Sequence, residues 1–155
     1  MAGRMTGSDV TAVFITADTT ALDADGISVA AAVGNNAALV IGGALASGGA
    51  VALDSGRIVT ILSAGDDSAK SFTVTGTDVN GDAQTESITG ANAGTATGSK
   101  YFKTLSGISA VGNPAGNVSA GINNSAADVI FEGRARLQGI NMVCSATAGT
   151  LNFLK

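Results

Sequence analysis

Polar and apolar residues alternate most cleanly where Phe72 and Val74 stand between Ser71, Thr73 and Thr75. A period of two puts the two large apolar groups on one face of a strand and leaves a threonine-rich face to water. The same texture recurs from residue 37 onward. Ala38 to Ile41, Val51 to Leu53, Arg57 to Ser63, Lys70 to Asp78, Gln84 to Gly90, Ser99 to Thr104, Ile108 to Val111, Arg134 to Cys144 and Thr150 to Leu154 are predicted strands, separated by clusters of Gly, Asn, Asp or Ser. Short strands at this spacing predict a mainly β fold, an antiparallel β-sandwich of about eight or nine strands.

The sharpest local expectation is a hairpin at Val79-Asn80-Gly81-Asp82. Asn-Gly suits a two-residue type I′ turn, because both central residues need positive φ. With Asn80 and Gly81 as the loop, Val79 faces Asp82, Thr75 faces Glu86 and Thr73 faces Ile88.

Residues 1–36 read as an extended N-terminal arm and residues 37–155 as the β-sandwich domain. The arm holds one short apolar stretch around Val10, Val13, Phe14 and Ile15. Such a stretch cannot bury itself, so it is expected to dock on the domain or on a neighbouring subunit. A short helix over Ala21 to Val33 is the alternative there, limited by Gly26 and Gly34. The uncharged run from Gly26 to Leu53 is long enough to span a bilayer, but Gly34-Asn35-Asn36 and Ser47-Gly48-Gly49 break it like turns. No membrane segment is expected. At the start, Arg4 leads into Met5-Thr6-Gly7-Ser8-Asp9 rather than an apolar run, which does not fit a secretory signal.

Composition narrows the chemistry. The 155 residues include no histidine, no tryptophan, one cysteine, one proline and 22 glycines. Without histidine there is no Ser-His-Asp or Cys-His site, and the commonest metal ligand is missing. Paired carboxylates, a lysine nucleophile or an oxygen-ligated cation remain conceivable routes. Cys144, alone in an apolar run, reads as a small buried hydrophobe and cannot form an internal disulfide. The net charge of −4 has no basic stripe, so no nucleic-acid partner is expected. Lys100-Tyr101-Phe102-Lys103 interleaves cations with aromatics but reads as an ordinary strand with solvated lysines.

Candidate motifs dissolve when their spacing is checked. Asp78, Asn80 and Asp82 match the first, third and fifth positions of a calcium loop, yet Ala83 stands where glycine is needed and Thr89 where glutamate should close the shell. Gly94 to Lys100 lacks the spacing of a phosphate loop. Asp66 and Asp67 fit a turn in which carboxylates cap backbone amides. Arg134 and Arg136, two apart on a strand, share a face and could fork onto a neighbour's carboxylates; pairing within the chain to Glu132 or Asp128 is the alternative. Catalytic, cofactor and metal residues are therefore expected to be absent. The candidate interface is Val10, Val13, Phe14, Ile15, Arg134 and Arg136.

Ile58-Val59-Thr60-Ile61, Ser63-Ala64-Gly65-Asp66-Asp67-Ser68, Phe72 to Asp78, Gly81, Glu86, Thr89-Gly90, Gly94-Thr95 and Lys100 to Thr104 together resemble a β-rich module of accessory virion proteins of tailed bacteriophages. The likeness runs from about Gly49 to Gly121, with Ala135 to Phe153 similar to the strand-turn-strand that tends to follow. It implies a non-enzymatic part of a head or tail, a capsid decoration or cement protein or else a tail or fibre component. The partners implied are other virion proteins and copies of the chain itself. Members usually run on into a glycine-rich turn and another strand, whereas this sequence stops at Lys155, which leads one to expect a missing strand supplied from elsewhere. A secreted adhesin or carbohydrate-binding module is a further alternative, weakened by the lack of tryptophan and the single tyrosine.

Overall fold

The computed structural model describes residues 23–129. Within them the chain is mainly β, with seven strands in one antiparallel sheet and no helix. The strands are β1 (Asp23–Ala32), β2 (Ala46–Ser47), β3 (Ala50–Ser63), β4 (Ser71–Thr77), β5 (Ala83–Thr89), β6 (Thr95–Val111) and β7 (Asn117–Ala127). Their order is β1-β7-β3-β6-β4-β5, with β2 paired to β3.

Two long strands make the frame. Val51 to Leu53 and Arg57 to Ser63, expected as separate strands, are both part of β3, and Ser99 to Thr104 and Ile108 to Val111 are both part of β6. Asp54-Ser55-Gly56 does not break β3; it lies in a register shift, where Ala52 pairs with Thr104 but Arg57 pairs with Phe102. A second shift follows between Ile58 and Thr60. Such irregularities bend a strand and interrupt its ladder locally, and pairing resumes beyond them.

The segment after β1 links that strand to the second half of β6. Ala37 and Leu39 bond to Ala110 and Ile108 of β6, and within three residues the amides of Gly42 and Gly43 reach the Ile27 carbonyl on β1. Three residues span at most about 11 Å. In a flat sheet the ladder would carry Ser28 through Ala120 and Ile61 to Ala96, leaving Ile108 twelve residues further along β6, roughly 40 Å away. The sheet is therefore strongly curved rather than flat. Two separate hydrogen-bonded sheets, as a sandwich has, are not what the described residues form.

One core fills the fold. Ile27, Val59, Ile61, Phe72, Val74, Phe102, Ile108 and Val118 are essentially inaccessible and belong to a single cluster drawn from β1, β3, β4, β6 and β7. Phe72 and Val74 do share the buried face, and Thr75 is exposed on the other.

Three further expectations change. Asp23–Ala32, assigned to the arm from its sequence, is β1 and pairs with β7, so only residues 1–22 of that arm lie outside the sheet's description. Asn117–Ala127, not among the predicted strands, is β7, whose Val118 to Ile122 are buried on both faces. The hairpin is offset by one residue: Val74, not Thr75, faces Glu86, and Phe72 faces Ile88. Only Gly81 has positive φ, at 88°, and Asn80 does not. The loop runs from Asp78 to Asp82 because the Asp78 carboxylate accepts the amides of Asn80 at 2.8 Å and Asp82 at 2.9 Å, which favours a longer turn over a type I′ pair.

Candidate functional site

The residues proposed from sequence as an interface, Val10, Val13, Phe14, Ile15, Arg134 and Arg136, lie outside the described residues, as do Cys144 and the predicted strands Arg134 to Cys144 and Thr150 to Leu154. The described surface offers three places to look for function.

The first is the end of the sheet where three loops lock together. Asp67, fully buried, takes the Ala115 amide on its carboxylate Oδ1 at 2.8 Å, while its own amide donates to Ala91 and its carbonyl accepts from Lys70. The β3–β4, β5–β6 and β6–β7 loops are thus pinned by one residue. The tight fit extends to Gly65, where an added Cβ would fall 2.8 Å from the Ala115 backbone. Asp66 beside it faces outward, and hydrogen bonds from the Ser68 hydroxyl and amide hold its carboxyl below the ordinary range. The adjacent carboxylates, one exposed and one buried, form a structural latch: each caps a backbone amide, as turn chemistry expects.

The second is the margin between β5 and the first half of β6. No backbone ladder joins them, and side chains do the work instead. Glu86 accepts from the Ser99 amide at 2.6 Å and the Ser99 hydroxyl at 2.8 Å, Gln84 donates to the Tyr101 carbonyl, and Lys100 donates to the Thr85 carbonyl. Lys100 and Lys103, read as solvated, both reach backbone carbonyls, Lys103 that of Asp54. Sheet edges left open invite pairing with other chains, and here side chains cap part of the margin, at the Ser99 and Lys100 amides and the Thr85 and Tyr101 carbonyls.

The third is the outer edge of β1, at the end of the strand order. Gly42, Gly43 and Leu45 donate to the carbonyls of Ile27 and Gly26, which covers the early part of that edge. From Ser28 to Ala32, no backbone bond to the outer edge is made by any described residue. Here Val29 is 54% exposed and Ala30, Ala31 and Ala32 are exposed too. Proteins usually guard an edge with lysine, proline or a bulge. This one has a register shift between Ser28 and Ala31 but no charge and no proline. Val40, 78% exposed, adds a further apolar side chain on the segment that crosses from β6 to β1. The sequence held the signal, since Ile27 to Val33 is small, uncharged and unbroken, but its alanines read equally as a helix.

The Asp78 loop is closed by its own hydrogen bonds. Its carboxylate is turned onto its own backbone, and although desolvation pushes its pKa up, bonds from Asp82, Asn80 and Gly81 together hold it below the ordinary value. Among the described residues no three acidic or cysteine side chains gather as a metal site. Nor does any helix there have the length and apolarity to cross a membrane. Comparison with known proteins finds no matching family model, no similar curated protein and no similar solved structure.

Proposed function

We propose that the chain is a non-enzymatic structural component of a tailed-phage virion, a capsid decoration or cement protein that binds neighbouring virion proteins and copies of itself. The observation that carries this reading is the exposed, uncharged stretch Val29 to Ala32 of β1, which no described residue pairs on its outer side. An edge of this kind suits repetitive attachment by strand addition and apolar burial. The resemblance to phage accessory modules supports the setting: its residues, Gly49 to Gly121, span β3 to β6 and the first half of β7. The apolar arm residues Val10, Val13, Phe14 and Ile15, with Arg134 and Arg136, are the proposed contacts. No cofactor, nucleic acid or membrane enters this function.

The test is attachment. Full-length protein is mixed with particles lacking it, and the particles are sedimented. Saturable co-sedimentation, weakened by Phe14→Asp, is expected. Protein that stays in the supernatant at every concentration overturns the reading.

A further inference from the structure

We infer that Asn80-Gly81 is a site of self-modification: the Gly81 main-chain nitrogen attacks the Asn80 side-chain amide, and the fold sets the rate through Asp78. The inference goes beyond the proposed virion role, does not rest on it, and needs no partner but water.

Sequence and position single out this asparagine. Of the ten asparagines in the chain, Asn80 alone is followed by glycine; Asn113 precedes a proline, which has no N–H, and every other one precedes a residue with a Cβ. The missing Cβ matters because ring closure swings the Asn80 side chain against residue 81, and glycine leaves that approach open. Both residues are exposed in the loop between β4 and β5, and a Cβ built at Gly81 would meet nothing within 4 Å.

The chemistry balances with water alone. The Gly81 nitrogen gives its proton to solvent base and bonds to Cγ of Asn80; the Cγ–Nδ2 bond breaks, and the side-chain nitrogen takes up a proton and leaves as ammonia. A succinimide ring results. Water then opens it at Cγ, which leaves aspartate, or at the main-chain carbonyl carbon, which leaves isoaspartate with the chain running through the former side chain. Isoaspartate adds one methylene to the main chain of the loop. Either product places a third carboxylate between those of Asp78 and Asp82.

The folded loop restrains the reaction at both ends. The nucleophile is engaged, because Gly81 donates its N–H to the Asp78 carbonyl at 3.2 Å. The leaving group is engaged too: Asn80 Nδ2 donates to Asp78 Oδ2 at 3.3 Å, and the Asn80 amide donates to Oδ1 at 2.8 Å. Attack requires the Gly81 N–H to leave its acceptor and Asn80 Cγ to swing toward it, so conversion passes through a transient local opening of the loop. Asp78 is a positioning residue that slows the reaction.

Isotope labelling of the full-length protein tests this. The protein is incubated at mildly alkaline pH in heavy-oxygen water, which marks conversions made during the incubation, and is digested for mass spectrometry that separates aspartate from isoaspartate. Label should accumulate at residue 80 ahead of every other asparagine and in both products. Asn80→Gln, whose longer side chain closes the ring far less readily, should remove most of it. Asp78→Ala, with its sheet checked by circular dichroism, should convert about three- to tenfold faster than the parent, the release expected from one or two hydrogen bonds. Asp78→Asn, which keeps an acceptor oxygen, should stay closer to the parent rate. The parent unfolded in guanidinium chloride should also outpace the folded protein, which tests the restraint without any substitution. Three results would overturn the inference: no label at residue 80 in the folded protein; aspartate without isoaspartate, which means direct hydrolysis; or an Asp78→Ala rate no faster than the parent's.

Discussion

Gly121 should be irreplaceable even by alanine, for steric reasons alone. Its backbone conformation is one that any residue adopts, yet a Cβ there would stand 1.7 Å from the Asp23 carbonyl oxygen and 2.7 Å from the Ala24 carbonyl carbon. Ordinary contact begins at 3.4 Å, so β1 would have to retreat by nearly 2 Å. Retreat strains the Asp23 pairing with Ile122 and breaks the Ser119 hydroxyl bond to the Ala24 carbonyl, 3.0 Å long. Overpacking costs about 1–3 kcal/mol and a lost hydrogen bond about 0.5–1.5, so Gly121→Ala should destabilise by about 2–4 kcal/mol. In a chain of this size that lowers Tm by roughly 10 °C. Urea denaturation measures the loss, and Gly107→Ala is the control, because a Cβ at Gly107 meets nothing within 4 Å. Hydrogen exchange should show the loosening concentrated at β1. If Gly121→Ala is as stable as Gly107→Ala, β1 does not lie across β7 as described, and the account of the edge falls with it.

Phe72→Ala should cost about 3–5 kcal/mol in the same denaturation assay, since its ring is fully buried opposite Ile88, and a loss under about 1 kcal/mol would place it outside the core. Asp67→Ala should cost about 1–3 kcal/mol by stripping the Ala115 amide of its acceptor, whereas Asp67→Asn, which keeps an acceptor oxygen, should cost less; equal losses would contradict the latch. Asp66 and Asp78 have lowered pKa values in the fold, so their bonds stabilise it above the unfolded carboxylate pKa of about 3.9 and that contribution is lost as pH falls from there through the folded values. Stability measured against pH should therefore fall less steeply on the acid side in Asp66→Asn/Asp78→Asn than in the parent, and identical slopes would contradict the assignment.

Much of the fold was legible where side chains alternate strongly. Phe72 and Val74 marked β4 by their period of two, and the β-branched run Ile58-Val59-Thr60-Ile61 marked the centre of β3. What stayed hidden has physical causes. Asn117–Ala127 carries Gly121, Asn123 and Asn124, which score as loop; it is a strand because it lies between β1 and β3, where tertiary contact overrides propensity. Asp54-Ser55-Gly56 looks like a turn, and a bulged strand uses the same residues. The hairpin slipped by one because the Asp78 side chain, which local pair statistics ignore, binds the loop's own amides. The exposed edge of β1 was not legible: three consecutive alanines give no period, and only the strand order puts β1 at the end of the sheet among the described residues.

The most direct test of the central claim, the proposed virion role, is quantitative mass spectrometry of purified tailed-phage particles from a phage whose genome carries this sequence. A decoration protein should be present at a copy number commensurate with the major capsid protein, and it should be retained through gradient purification. Particles that are complete and infectious but contain none of it would contradict the account.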